Sequence, residues 1–139
     1  MSTLSLPELL GIRAGMRVSL LNPPEGFLQK LDPLPHGVAL IDSSKTGLDL
    51  TLYFSTKKTD LVEKLPVLAR GMAVTGYIWV IFPSATESSA VPTEDFVRVA
   101  ALEIGLSDDK KLVPDVGWTG LRLAWKPRAP RLEKPQIQA

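Results

Sequence analysis

Cysteine is absent from the 139 residues, which excludes disulfides, thiol nucleophiles and thiolate metal sites. Histidine occurs once, as His36 between Pro35 and Gly37, with no serine or cysteine motif beside it, and it reads as a loop residue. A metal site would have to be built from carboxylates alone, which suits magnesium or calcium better than zinc, and none is expected. No apolar stretch approaches the length needed to cross a bilayer. The opening MSTLSLPELL has no basic region and no long apolar run, so it does not read as a signal peptide, and a cytoplasmic protein is expected. Charge of either sign is nearly balanced, at +1 overall. From Lys126 onward the side chains carry +3, leaving −2 for the rest, so the folded body offers no basic face for nucleic acid.

What is present is enough for one domain with a real core. A hydrophobic share of 45% against 22% charged is that of an ordinary globular chain. The pattern predicts a first strand over Arg17 to Leu21 and a helix from about Pro24 to Leu31 carrying Phe27, Leu28 and Leu31 on one side. A second strand is predicted over Val38 to Ile41. A third, Leu48 to Phe54, alternates, with Leu48, Leu50, Leu52 and Phe54 facing opposite to Asp49, Thr51 and Tyr53. Leu61, Leu65, Leu68 and Met72 have helical spacing over Thr59 to Met72, where Pro66 should kink or divide the helix. Tyr77 to Phe82 is apolar on both faces and reads as a central strand. After a small-residue loop, Thr93 caps a helix to Ile104, with Gly105 as its C-terminal cap. Two last strands, near Lys110 to Val113 and Trp118 to Trp125, form a hairpin turned at 114–117.

Strand–helix–strand alternation with a closing hairpin is α/β: a small Rossmann-like, doubly wound, mostly parallel sheet with a C-terminal antiparallel pair. Residues 1–126 form this domain, and 127–139 read as a disordered basic tail with three prolines. The six residues between Asp42 and Asp49 are short for a parallel crossover, and Ser43 to Gly47 could turn a hairpin instead. The parallel reading is preferred because a short strand needs little return distance.

The order of elements resembles that of class I methyltransferases. The segments carrying the resemblance are Gly11 to Val18, Leu48 to Leu52, and Leu68 to Val80 with Gly71 and Gly76 bracketing a turn. The stretch Asn22 to Phe27 after the first strand is similar to that of a short bacterial family known as domain of unknown function 3052, which implies the same fold over residues 8 to 126. The methyltransferase resemblance implies a glycine-rich cofactor loop after the first strand and a ribose-holding carboxylate at Asp42. Here that loop reads Asn22-Pro23-Pro24-Glu25-Gly26, and two prolines in succession remove two backbone donors. Asn22-Pro23-Pro24 also resembles the Asn-Pro-Pro-aromatic motif of amino-methylating enzymes, but it follows a different strand, and Glu25 stands where the aromatic would be.

No cofactor is therefore expected. Ser55, Thr56, Lys57 and Lys58 follow the third strand and precede a helix, where ligands and anions gather in such sheets. Together with Asn22, Glu25, Gly26 and Asp42 they make a candidate ligand edge. Glu25, Asp42 and Asp49 are not expected to act as an acid–base set, because Asp49 begins its strand. Trp118 and Trp125 fall on opposite faces of the last strand, one for the core and one for an edge or a partner. The functional expectation leans away from an enzyme, towards a non-catalytic methyltransferase-like module that binds a protein partner or a small anionic ligand. The alternative is an S-adenosylmethionine-dependent or other transferase with a divergent cofactor site.

Overall fold

The computed structural model describes residues 4–84 and 87–126; the expected tail, 127–139, lies outside them. Element α1 (Leu6–Leu10) opens on a reciprocal cap: the Ser5 hydroxyl accepts the Glu8 N–H, and the Glu8 carboxylate accepts the Ser5 N–H. Next come β1 (Arg17–Leu21), α2 (Phe27–Lys30), β2 (Ala39–Leu40), β3 (Leu48–Phe54) and α3 (Lys58–Gly71). The chain closes with β4 (Met72–Pro83), α4 (Glu94–Glu103), β5 (Leu106–Asp115) and β6 (Trp118–Trp125).

The six strands form one sheet in the order β2-β1-β3-β4-β6-β5. Parallel pairing joins β2, β1, β3 and β4, and antiparallel pairing joins β4 to β6 and β6 to β5. The α/β, mostly parallel expectation holds, closing hairpin included. The second strand is parallel to the third, with β1 lying between them. A six-residue return suffices because β2 has only two residues, ending level with Val18, and β3 starts below that level. The Arg17 guanidinium bonds the Thr46 carbonyl at 3.1 Å and the Asp49 carboxylate accepts the Arg17 N–H at 2.9 Å, so the return passes the amino end of β1.

Alternation along β3 serves two cores. Leu50, Leu52 and Phe54 join Val18, Trp79 and Ile81 under α1 and α2. Tyr53 joins Ile78, Val80 and Phe82 under α3 and α4, with Leu61, Leu65, Val97 and Leu121. Trp79, fully buried, donates its indole N–H to the Leu10 carbonyl at 2.8 Å, which ties the end of α1 to the central strand.

Several boundaries correct the sequence reading. The helix expected over Pro24 to Leu31 is the single turn Phe27–Lys30, entered through Gly26 in the left-handed region, with Leu28 exposed. Pro24 precedes it. Pro66 does not divide α3, which runs unbroken for 14 residues and ends at Gly71, so Met72 begins β4 instead of closing the helix. Gly71 and Gly76 do not bracket a turn, because β4 already begins at Met72. Residues 73–76 of β4 bulge against the single residue Asp49, since Leu48 pairs Met72 and Leu50 pairs Tyr77. A Cβ on Gly76 would lie 2.8 Å from the Leu48 carbonyl oxygen, so only glycine lets the bulge close. β5 extends beyond the expected Lys110 to Val113, and the hairpin turns at Val116-Gly117 alone.

Candidate functional site

In an open α/β sheet, ligands bind at the carboxyl ends of the strands, where the strand order reverses. Here that point lies between β1 and β3, since β2 flanks β1 on one side and β3 on the other. Leu21 pairs with Tyr53, so Asn22 leaves β1 level with Phe54, one strand spacing from the segment leading to Ser55. Asn22, Glu25, Gly26, Ser55, Thr56 and Lys57 thus share one edge.

Asn22 adopts φ +59, a left-handed conformation in which asparagine is among the better-tolerated side chains. The Phe27 N–H bonds the Pro24 carbonyl at 3.0 Å across a turn with Gly26 at φ +84. That turn delivers Phe27 into the core. Its ring meets Phe54 edge to face at 4.7 Å, and Phe54 meets Trp118 in the same way at 5.5 Å. These three rings form a chain of contacts on the α1–α2 side of the sheet, and Trp118 is the core member of the pair with Trp125. Trp125 lies over Gly105 and is 37% exposed. An ion pair of 3.7 Å between Lys30 and Asp115 ties α2 to the hairpin across the edge. The aromatic stack was not foreseen from the sequence; three separated aromatics share no local period.

Asp42 follows the carboxyl end of β2 and sits lower than Asn22. β2 ends at Leu40, level with the second residue of β1, so Asp42 stops short of the ends of β1 and β3. Its carboxylate accepts the Ser44 N–H at 2.8 Å and its carbonyl accepts the Lys45 N–H, closing a local turn. The Ser44 backbone and side-chain hydrogen bonds hold the Asp42 carboxyl below its ordinary value. Glu25 and Asp49 lie at opposite edges, so no carboxylate set forms. Among the described residues, no group of three or more His, Cys, Asp or Glu could hold a metal.

At the start of α3, the Ser55 hydroxyl bonds the Lys57 carbonyl at 3.3 Å and the Ala90 carbonyl accepts the Lys58 N–H at 2.8 Å. One helix N-terminal donor is therefore already taken by the chain itself. The Lys58 ammonium lies 5.1 Å from the Phe96 ring centre, whereas Lys57 is exposed.

Comparison with solved structures places this arrangement. The pyocyanin biosynthetic protein PhzM matches with a TM-score of 0.64 at 14% identity, over 88% of this chain and 53% of PhzM. The chain thus spans about half of that protein. A TehB-like SAM-dependent methyltransferase from Corynebacterium glutamicum matches at 0.53 with 15% identity, covering 87% of this chain and 85% of that one. The magnesium protoporphyrin IX methyltransferase ChlM from Synechocystis, with bound SAH, matches at 0.54 with 10% identity, covering 81% and 75%. The chain has a methyltransferase-like fold. No protein-family model and no curated protein matches the sequence.

S-adenosylmethionine is the cofactor this fold implies, and the residues present do not fit it. Pro23 and Pro24 have no N–H to offer where β1 ends. Phe27, directly after the turn, packs on Phe54 in the core, and one Asp42 carboxylate oxygen is taken by the Ser44 N–H.

Proposed function

We propose that this chain is a transferase-type domain with a divergent cofactor site, one in which the turn after β1 has been given over to packing and does not hold S-adenosylmethionine. The likeness of fold to methyltransferases supports the transferase half of this reading, and it supports it better than a non-catalytic role. The divergence rests on the Asn22–Phe27 turn, whose prolines remove donors and whose Phe27 fills the core.

A second reading, a non-catalytic module for a protein partner or a small anionic ligand, is favoured by one observation. Glu25, Asp42 and Asp49 stand apart and His36 is an exposed loop residue, so these residues assemble no acid–base pair. The anionic ligand would use Ser55, Thr56, Lys57 and Lys58.

A thermal-shift screen separates the readings, because a ligand bound to the native state stabilises it by mass action. Nucleotides or sugar phosphates that raise Tm in the wild type and equally in Lys57→Ala, Lys58→Ala would support a transferase donor site elsewhere on the fold. Protection lost in the double variant would support the anionic module. Protection by S-adenosylmethionine at micromolar concentration would overturn the divergence.

A further inference from the structure

A cavity of about 350 Å³ opens at the carboxyl end of β4 and the amino end of β6, away from the β1–β3 switch point, against the first turn of α4. Its volume lies at the lower end of the roughly 300–1,000 Å³ typical of small-molecule sites. Its apolar walls are Phe82, Pro83 and Pro92. Its polar groups come from three separate elements and the segment after β4, and they converge.

The Ser84 and Thr119 hydroxyls lie 2.7 Å apart. Their mutual bond uses one of two protons, so the pair keeps one donor to give. Thr119 is buried, so that pair is held in place. The Thr93 hydroxyl oxygen accepts the Phe96 N–H at 3.2 Å, leaving its proton free. Lys111 bonds Glu94 at 2.8 Å and retains two further N–H groups. Glu94, which also holds Arg98 at 2.8 Å, is kept ionised by Lys111 and Arg98 and retains acceptor lone pairs.

The charges around this cavity cancel. Lys111 and Arg98 face Glu94, and Arg98 also meets Asp95 at 3.1 Å and Asp108 at 3.2 Å. No surplus positive charge is available for a phosphate or a carboxylate. Alternating donors and an acceptor above proline faces match a molecule with hydroxyls on its rim and C–H groups on its flat side.

We infer that this cavity, formed by Ser84, Thr93, Glu94, Lys111 and Thr119, binds a small uncharged polyhydroxylated molecule of the size of a single sugar ring. The inference does not depend on the transferase reading, since it uses other strands and another ligand class.

Amide NMR of the full-length labelled protein tests it, with glucose and myo-inositol as probes and inorganic phosphate as the charged control. The expected result is saturable shifts at Ser84, Thr93, Glu94 and Thr119 with at least one polyol. Thr119→Val keeps the side-chain shape but removes the hydroxyl, and should weaken binding about tenfold, the worth of one good hydrogen bond. Lys111→Ala, at an exposed position, should weaken binding while the rest of the spectrum stays that of the wild type. The inference is overturned by the absence of shifts with both polyols well beyond the millimolar range. It is equally overturned by undiminished affinity in both variants, or by phosphate shifting these residues where the polyols do not.

Discussion

Phe27 is the residue on which the account turns. In sequence it follows a proline–glycine turn and looks like one face of a modest helix; in the fold it is 1% exposed and sits edge to face on Phe54. Truncating a buried phenylalanine loses transfer free energy and leaves a cavity, so Phe27→Ala should cost about 3–5 kcal/mol in urea unfolding. A loss below about 1 kcal/mol would mean the turn is not built for packing. Glu94 makes a pH statement. Its carboxyl is held below the ordinary 4.5 by Lys111 first and Arg98 second. A depressed carboxyl contributes stability that is complete above its unfolded value and drains as pH falls through the lower folded value. The urea midpoint should therefore fall with pH below about 4.5, and fall less in Glu94→Gln. Identical slopes would show that the ion pairs with Lys111 and Arg98 do not couple to folding. At this scale the sequence revealed types better than partners: Asp42 was legible as a turn residue, but its Ser44 bond and its distance from the edge depended on how short β2 is.

Elements were legible wherever one period ran long enough. β3, the apolar heart of β4 and the Thr93-capped helix lie where alternation, unbroken hydrophobicity and capping chemistry predict them. The rule fails for short elements, where a tertiary contact decides the boundary: α2 shrinks to one turn because Gly26 must deliver Phe27. β4 begins early because Met72, on the far side of the bulge, pairs with Leu48. Pro66 is the informative exception, kept within one continuous α3 although it lacks the N–H that would bond the Val62 carbonyl. Leu61, Leu65 and Leu68 bury on both sides of it, and that packing holds the helix together. Restoring the N–H without adding bulk should help, so Pro66→Ala is expected to raise stability by about 1 kcal/mol or more. A decrease in chemical denaturation would show that the proline ring itself fills the space between α3 and α4.

For the whole molecule, alternation predicted a sheet covered on both faces, and two cores separated by that sheet are what the chain builds. Which strand ends carry a ligand is a question of register and strand length, and sequence periodicity is silent on both. Register puts Asn22 beside the Ser55 segment, while the shortness of β2 leaves Asp42 below the ends of β1 and β3, so six of the eight expected residues share the edge. The fold it shares with methyltransferases sets the natural expectation of S-adenosylmethionine, while the turn after β1 removes the donors that expectation requires. Isothermal titration of the full chain with S-adenosylmethionine and S-adenosylhomocysteine tests this most directly. The divergent-site account predicts no saturable heat through the micromolar range for either compound. A dissociation constant in the low micromolar range, about −8 kcal/mol, would contradict it.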